Sequence, residues 1–365
     1  MLSLALAAGA PAAPHWDHPG YDAEDSHYNP AESVVNADSI RRLAKKWQVN
    51  LRTSDASCAG FSAPVLSGGR IFTSDQLGIS AYAPADGAVR WRYNWLDPMD
   101  TGTPVLAVAD GLVIAAGGDC NSQSDPDGTL TALDVRTGRL RWQLNQDVPI
   151  RSVVVDKGAV VVSGSSPSDE DTVAAYAVRD GGTLWTKPKY ATSGVSANGT
   201  ILIRKTDGYD VPAGESAGVE IGTGRIRWTR KAAWTAQAAD PGSERFYVTD
   251  RTGRLSAVRV ADGMPAWTAT GTVNEMIAVD RNRIYRASGT TVEALNAADG
   301  KRLWTARQPV GSRQPVVAGG LLYAGGPVLD PATGAVAGPA LPGQLIIAGG
   351  RLHQVKDTAL TVFAR

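Results

Sequence analysis

The segment ALDVRTGRLRW, residues 132–142, is the clearest copy of the pattern that decides the fold of this 365-residue chain. Five further segments repeat it and end at a tryptophan: AYAPADGAVRW (81–91), AYAVRDGGTLW (175–185), GVEIGTGRIRW (218–228), AVRVADGMPAW (257–267) and ALNAADGKRLW (294–304). In each copy the tryptophan lies four residues after a turn glycine. Such a fixed spacing indicates an internal repeat rather than unrelated core residues.

Each copy predicts two antiparallel strands joined by a tight turn. Apolar residues alternate before the turn, Asp-Gly or Thr-Gly forms it, and the second strand carries the large aromatic ring. Two more strands precede each pair, as in SAPVLSGGRIFTS (62–74) and QPVVAGGLLYAGG (314–326). Because one four-stranded sheet cannot bury both of its faces, the repeats must stack around an axis with the tryptophans between them.

The repeats therefore predict an all-β fold, a single eight-bladed β-propeller with four-stranded antiparallel blades. Seven blades are expected at 61–95, 101–145, 149–188, 192–231, 235–270, 273–307 and 312–341, and the seventh has Gly338 in place of the tryptophan. The eighth, at 343–365, has three strands, and the strand 43–51 would complete it and close the ring. The tryptophans assigned a structural role are Trp47, Trp91, Trp142, Trp185, Trp228, Trp267 and Trp304.

The chain is expected to contain three segments: a signal-like apolar stretch at 1–14, an arm at 15–42 and the propeller at 43–365. The opening MLSLALAAGAPAA resembles the core and cleavage region of a secretory signal and is too short to span a bilayer. A disordered N-terminus is the alternative. We expect an exported monomer of the extracellular space or the cell envelope, without a transmembrane segment.

Charge gives no indication of a nucleic-acid partner. Lysine plus arginine and aspartate plus glutamate both number 36, so no overall field attracts an anionic polymer. We expect a protein or a small molecule as the partner.

The repeats resemble the pyrroloquinoline-quinone (PQQ)-like β-propellers, which include quinoprotein alcohol dehydrogenases and outer-membrane assembly scaffolds. The resemblance covers about residues 16 to 365, and in the arm it rests on Trp16, Tyr28, Asn29, Pro30 and Leu43. It implies PQQ and calcium as cofactors. The chain departs from the dehydrogenase pattern, however, because Phe61 stands where their quinone-contacting glutamate would be, and Cys120 is isolated where they have adjacent cysteines. We therefore assign neither cofactor.

The two cysteines, Cys58 and Cys120, lie in loops that a propeller places on one face of adjacent blades. A Cys58–Cys120 disulfide is the first interpretation and suits an oxidising compartment. Two free thiols are the alternative.

Long loops on the same face of blades two, three and four form an acidic loop wall at 117–128, 163–171 and 205–216. Its carboxylates are Asp119, Asp125, Asp127, Asp169, Glu170, Asp171, Asp207 and Asp210. Three interpretations remain open: solvated loops without a ligand, recognition of a cationic partner, and a calcium site at Asp125 and Asp127 or at Asp169 and Asp171.

Residues before the innermost strands should surround the mouth of the central channel. The candidates for ligand binding there are Phe61, Trp95, Asp100, Arg151, Tyr190, Trp234, Gln237, Glu275 and Arg313. Two arginines opposite a glutamate would suit an anionic or quinone-like molecule, and solvated loop ends are the alternative. We read the histidines of the arm, His15, His18 and His27, as parts of a mobile polar segment, with a metal site as the alternative.

No catalytic residues are assigned, because the sequence contains no nucleophile elbow, phosphate loop or spaced triad. The leading hypothesis is an exported noncatalytic propeller that acts as a binding scaffold through its loop-rich face. The alternative is an enzyme with its site over the channel mouth, either a divergent quinoprotein oxidoreductase or a propeller recruited to another reaction.

Overall fold

A computed structural model describes residues 14–122, 124–271, 276–307 and 314–365. These residues form eight antiparallel sheets, each the blade of one propeller, which confirms the predicted fold. Glu275, Arg313 and the signal-like residues 1–13 lie outside the described residues.

The strands of blades one to four are given from the innermost to the outermost. Blade one contains Val65–Ser67, Arg70–Asp75, Gly78–Tyr82 and Val89–Asn94; blade two Val105–Ala109, Leu112–Gly118, Gly128–Asp134 and Leu140–Gln146; blade three Ile150–Asp156, Ala159–Gly164, Thr172–Ala177 and Thr183–Pro188; blade four the short inner pieces Tyr190–Ala191 and Ser196–Ala197, then Thr200–Thr206, Pro212–Glu220 and Ile226–Arg230.

The remaining blades follow the same order. Blade five contains Thr235–Ala239, Arg245–Thr249, Leu255–Arg259 and Pro265–Thr268; blade six Ile277–Val279, Arg283–Ser288, Thr291–Asn296 and Arg302–Arg307; blade seven Val316–Ala318, Leu321–Tyr323, Pro327–Leu329 and Val336–Ala340; blade eight Gln344–Ala348, Arg351–Lys356, Ala359–Ala364 and Ala44–Asn50. The arm adds the strand Tyr28–Asn29 beside blade seven and a short 3-10 helix at Ile40–Arg42.

Ring closure occurs in blade eight, as the sequence predicts. The strand Ala44–Asn50 pairs antiparallel with Ala359–Ala364. Trp47 at its centre contacts blade one, since its indole N–H donates to the carbonyl of Pro84 over 3.0 Å. The N-terminal part of the propeller is thereby joined both to the last blade and to the first.

The seven repeat tryptophans make one kind of contact. Each indole N–H donates to a carbonyl in the turn before the outermost strand of the next blade, over 2.8 to 3.1 Å. Each ring also packs on the turn glycine of that blade; a Cβ on Gly138, for example, would lie 2.5 Å from the Trp91 ring. Glycine is required at position 138 for two reasons: a side chain would clash with the Trp91 ring, and the φ of +69° disfavours any residue that has a Cβ.

The small first residue of the repeat has a matching role. Ala81 pairs with Trp91 across the strands, Ala132 with Trp142, and Gly218 with Trp228. A Cβ on Gly218 would come within 2.3 Å of the Trp228 ring. The first residue of the repeat is therefore small because the tryptophan at the end of the repeat lies directly beside it.

Between blades seven and eight the arm replaces the missing tryptophan. A Cβ on Gly338 would meet the Ile40 side chain at 3.1 Å, and both Ile40 and Val35 are buried. The Glu32 carboxylate accepts the N–H groups of Val34, Val35 and Gly350 and so joins the arm to blade eight. This seam is filled by aliphatic side chains that come from outside the blades.

The first half of the arm contacts the innermost strand of every blade in order. Backbone carbonyls of the arm accept an N–H from Leu66, Val108, Ser196, Ala239, Val279 and Val317, in blades one, two, four, five, six and seven. The His18 side chain bonds to the Val155 carbonyl in blade three over 2.9 Å, and Asn29 donates to Ile347 in blade eight over 2.8 Å. The arm therefore crosses the lower end of the channel, where the innermost strands turn back.

The expectation of a mobile polar arm is wrong. Trp16 is fully buried, and His18 and His27 are 8% exposed. Burial lowers the pKa of His27 to about 3 and also lowers that of His18, so both rings are neutral parts of the packing. Sequence polarity did not reveal that these side chains are enclosed by eight blades.

Two cavities lie inside the channel, and the arm forms their floor. One, of about 370 Å³, is lined by His27, Gln314 and Tyr323, and the other, of about 170 Å³, by His18, Asp22 and Arg151. Both are also lined by Pro19 and Asp25. Burial raises the pKa of Asp25 to about 7, and burial followed by repulsion from Glu24 and Asp25 raises the pKa of Asp22.

Trp91→Ala should lower the free energy of unfolding by about 3–5 kcal/mol, because it leaves a gap between two blades and an unpaired carbonyl at Val135. Urea unfolding measures the change. The matched control is Val89→Ala, two residues earlier on the same strand and 42% exposed, which should cost less than about 0.5 kcal/mol. A loss below about 1 kcal/mol for Trp91→Ala would refute the proposed role of the ring.

Asp25→Asn should gain stability relative to the wild type as the pH rises. A carboxyl whose folded pKa is raised to about 7 stabilises the fold below its ordinary pKa, and this contribution is lost as the pH rises through about 7. Because 32% of the side chain still faces the cavity, the effect is smaller than full burial would give. Melting temperatures at pH 4.5 and pH 8.5 test this. Asp299→Asn, on an exposed turn where hydrogen bonds lower the pKa, should show no such gain, and equal behaviour of the two variants would count against a buried Asp25.

Candidate functional site

The upper face of the propeller carries the loops between second and third strands and the loops between blades. The second-to-third loop spans residues 119–127 in blade two, 165–171 in blade three and 207–211 in blade four, whereas in blade one it contains only two residues. The expectation of a long loop at 205–216 in blade four is wrong, because most of that segment belongs to two strands and the remaining loop has five residues, as many as the loop 250–254 in blade five. The upper face is uneven, and its longest extensions lie on blades two and three.

A disulfide joins two of the upper loops. Cys58 and Cys120 are bonded, with their Cα atoms 6.1 Å apart, as the first interpretation of the sequence had it. Asp100 supports the same loops, since its carboxylate accepts the N–H groups of Cys120, Asn121 and Ser122 and the Ser122 hydroxyl. Desolvation acts to raise the pKa of Asp100, but these hydrogen bonds outweigh it and the pKa is lowered. Asp100 thus holds the loop 120–122 as an ionised carboxylate.

Two aspartates of the acidic loop wall, the buried Asp171 and the exposed Asp210, bond to the loops beside them. Asp171 is fully buried, and its carboxylate accepts the Asp210 N–H over 2.7 Å. Asp210 pairs with the guanidinium of the buried Arg204 at 2.5 Å. Burial outweighs this cation and raises the pKa of Asp210. These two aspartates therefore connect the loops of blades three and four.

The rest of the wall faces solvent. Asp125 accepts a hydrogen bond from Ser168, which links the loops of blades two and three over 2.9 Å, and Glu170 lies 3.6 Å from Lys189. Among the described residues no lysine, arginine or histidine forms an ion pair with any of six carboxylates at this edge: Asp97, Asp119, Asp125, Asp127, Asp147 and Asp169.

This uncompensated charge affects the titration of its members. Desolvation, followed by repulsion from Asp119, Asp125, Asp147 and Asp169, raises the pKa of Asp127. Hydrogen bonds from Ser168 and Ser166 lower the pKa of Asp169 instead. The wall is therefore strongly negative at neutral pH, with its charge concentrated on blades two and three.

The predicted calcium pairs have no third carboxylate close by. In the part of the chain that the structure describes, one group of three metal-ligating side chains has ligand atoms within 4.8 Å of one another: Cys58, Asp100 and Cys120. Its two sulfur atoms are bonded to each other and are not thiolate ligands. The geometry gives no support to a calcium site in the loops.

The described candidates at the channel mouth, which do not include Glu275 and Arg313, contact different neighbours. Trp234 is 8% exposed in the core beside blade five, Tyr190 donates to Glu215, and Gln237 donates to Thr249. Phe61 is half-buried against the core of blades one and eight. Arg151 is exposed and lines both a channel cavity and a cavity of the upper face.

Two adjoining cavities of the upper face are together called the upper groove. The first, of about 200 Å³, is lined by Tyr93, Trp95 and Leu96, and the second, of about 350 Å³, by Arg151 and Tyr209. Both are lined by Gly102, Gly117, Gly118 and Asp119, so the groove runs from blade one towards blade four.

Sequence reasoning missed the apolar side chains of the upper face. Leu96 is 94% exposed, Met99 58%, Tyr209 59% and Val211 53%. They lie in loops without periodicity, where single apolar letters carry no signal. No helix among the described residues is long and apolar enough to cross a membrane.

Comparisons with known proteins agree with this architecture. The family model described as outer membrane protein assembly factor BamB matches residues 75–240 and 213–346. The BamB of Yersinia pestis is 29% identical over 182 residues, which are 46% of this chain and 42% of that protein. The BamB of Bordetella pertussis is 26% identical over 309 residues, 78% of this chain and 73% of that protein.

Solved structures extend the likeness in fold. The crystal structure of BamB from Moraxella catarrhalis has a TM-score of 0.62 at 20% identity and covers 88% of this chain and 98% of its own. The quinohemoprotein alcohol dehydrogenase of Comamonas testosteroni has a TM-score of 0.70 at 13% identity and covers 96% and 80%.

The curated relatives are named for outer membrane assembly, which bears out the expected location outside the cytoplasm, in the cell envelope or beyond. The matching repeats extend over blades one to eight, from Asp75 to Ile346. The chain belongs to the BamB family of PQQ-like repeat propellers.

Proposed function

We propose that this protein is a noncatalytic scaffold of the cell envelope that holds a protein partner on the upper face of blades two to four. The observation that carries the proposal is the fixed position of the long loops. Ser168 with Asp125 joins blades two and three, and Asp171 with Asp210 joins blades three and four. A rigid protruding surface loses little conformational entropy when a partner binds.

The family supports the same role. The relatives carry the name of an assembly factor for outer membrane proteins. The enzyme alternative has less support, because three of the residues expected at the channel mouth, Tyr190, Trp234 and Gln237, are occupied in packing or in hydrogen bonds with neighbours. The proposal includes separate roles for an arm at 15–42 and a propeller at 43–365. The arm would keep the lower end of the channel closed, and the propeller would carry the binding surface.

Site-specific crosslinking in intact envelopes tests the scaffold. A photoreactive residue at Asp207, exposed on blade four, should capture a defined protein of outer membrane assembly. The same residue at Ala298, exposed on a turn of the lower face, is the matched control and should capture none. Equal capture at both positions, or none at Asp207, contradicts the proposal.

Titration of the purified protein with PQQ, with and without calcium, tests the noncatalytic assignment. We expect no saturable change in tryptophan fluorescence and no binding heat, because Phe61 stands at the position of the quinone-contacting glutamate. One-to-one binding of micromolar or tighter affinity would reverse the assignment and make alcohols the substrates to examine.

A further inference from the structure

The upper groove combines an apolar end with an acidic middle. At the blade-one end Tyr93 and Trp95 meet edge to face, with ring centroids 6.0 Å apart, and Leu96 projects beside them. Asp119 lies at the junction of the two cavities, and Tyr209 lies at the far end. The exposed Arg151 lines the same cavity as Tyr209. The upper groove thus has an apolar end at blade one, negative charge at Asp97 and Asp119, and one arginine near its far end.

The apolar end is held in place without any ligand. The loop that carries Leu96 and Met99 is tied through Asp100 to residues 120–122 of blade two. The Cys58–Cys120 disulfide joins those residues in turn to the loop before blade one. Gly102 N–H also donates to the Gly118 carbonyl over 2.9 Å. The Leu96 side chain is 94% exposed, so a partner that covers it gains the hydrophobic free energy.

The charge defines what that partner must carry. Asp97 and Asp119 line the groove. Desolvation, followed by repulsion from Asp119 and three further aspartates, raises the pKa of Asp127. None of the six carboxylates named above forms an ion pair among the described residues. Lysine and arginine side chains would relieve this repulsion, whereas phosphates and acidic peptides would increase it. A single metal ion is a poorer fit, because among the described residues no three of these carboxylates have oxygens within 4.8 Å of one another.

We propose that the upper groove binds an extended segment of a protein partner that is rich in lysine or arginine and seats an apolar side chain against Trp95 and Leu96. This inference rests on the proposed scaffold function and names the chemistry of the segment that is held. The segment lies along blades one to four, with its cations over Asp119 and Asp127.

Peptide binding to the full chain tests the inference. The probe is a fluorescein-labelled ten-residue peptide with four lysines and a leucine at each end, and the control peptide has glutamate in place of every lysine. Anisotropy at low salt should show saturable binding of the lysine peptide only. The affinity should fall as salt is added, because exposed charge pairs are screened.

Two variants locate the peptide, and each has a matched control. Leu96→Asp should disturb the apolar end, and Asp119→Asn with Asp127→Asn should remove two charges; each change should weaken binding about tenfold, equivalent to about 1.4 kcal/mol. The controls are Leu184→Asp, an exposed leucine on the outermost strand of blade three, and Asp299→Asn, an exposed carboxylate of the lower face. Both controls should leave binding within about twofold of the wild type.

The outcomes separate the two proposals. Equal binding of both peptides, no binding of either, or equal loss in the groove variants and in their controls overturns the groove. Crosslinking at Asp207 without peptide binding would leave the scaffold standing and remove this inference. Peptide binding in the groove without any crosslinked protein would do the reverse. Unchanged melting temperatures of the variants show that the fold is intact.

Discussion

The contact between each repeat tryptophan and the next blade is the interaction on which the molecule depends. It combines ring packing on a glycine turn with one indole hydrogen bond to a carbonyl. Neighbouring sheets in a propeller share no strand hydrogen bonds, so side chains must fix their angle and spacing. Seven repetitions of one contact make the ring regular enough that loops on different blades come to fixed relative positions, and the proposed binding face depends on those positions.

The seam between blades seven and eight lacks a tryptophan, and the residues that replace it show that the space between two blades has to be filled. At Gly338 the repeat provides no ring, and the arm fills the space with Ile40 and Val35. A segment outside the blades thus supplies the volume that the degenerate repeat lacks. The same arm crosses the lower end of the channel. One segment therefore both covers the channel and compensates for the tryptophan that blade seven lacks.

Much of the fold was predictable because its signals are local and periodic. The repeat can be recognised within single blades, and it locates the blades and the closing strand with Trp47. Once the blades are located, Cys58 and Cys120 fall in loops on one face of adjacent blades. The course of the arm was not predictable, since it bonds mainly through backbone carbonyls, which every residue has. The burial of Asp171 and the exposure of Leu96 depend on loops of neighbouring blades meeting in space, and no spacing in the sequence encodes that meeting.

Because the arm contacts all eight blades, it also constrains the order in which the protein can fold during synthesis. Residues 16–29 are made before the blades, whereas their last partner, Ile347, and the closing strand Ala359–Ala364 are made more than 300 residues later. The ring cannot close around the arm until that strand has been synthesised. Contacts so distant in sequence slow folding, and until then the sheet edges stay open. A chain cut short before Ala359 would lack the strand that pairs with Ala44–Asn50, so the ring would stay open. Its unpaired strand edges would be accessible to proteases, and truncated chains would therefore be degraded more readily than chains with a closed ring.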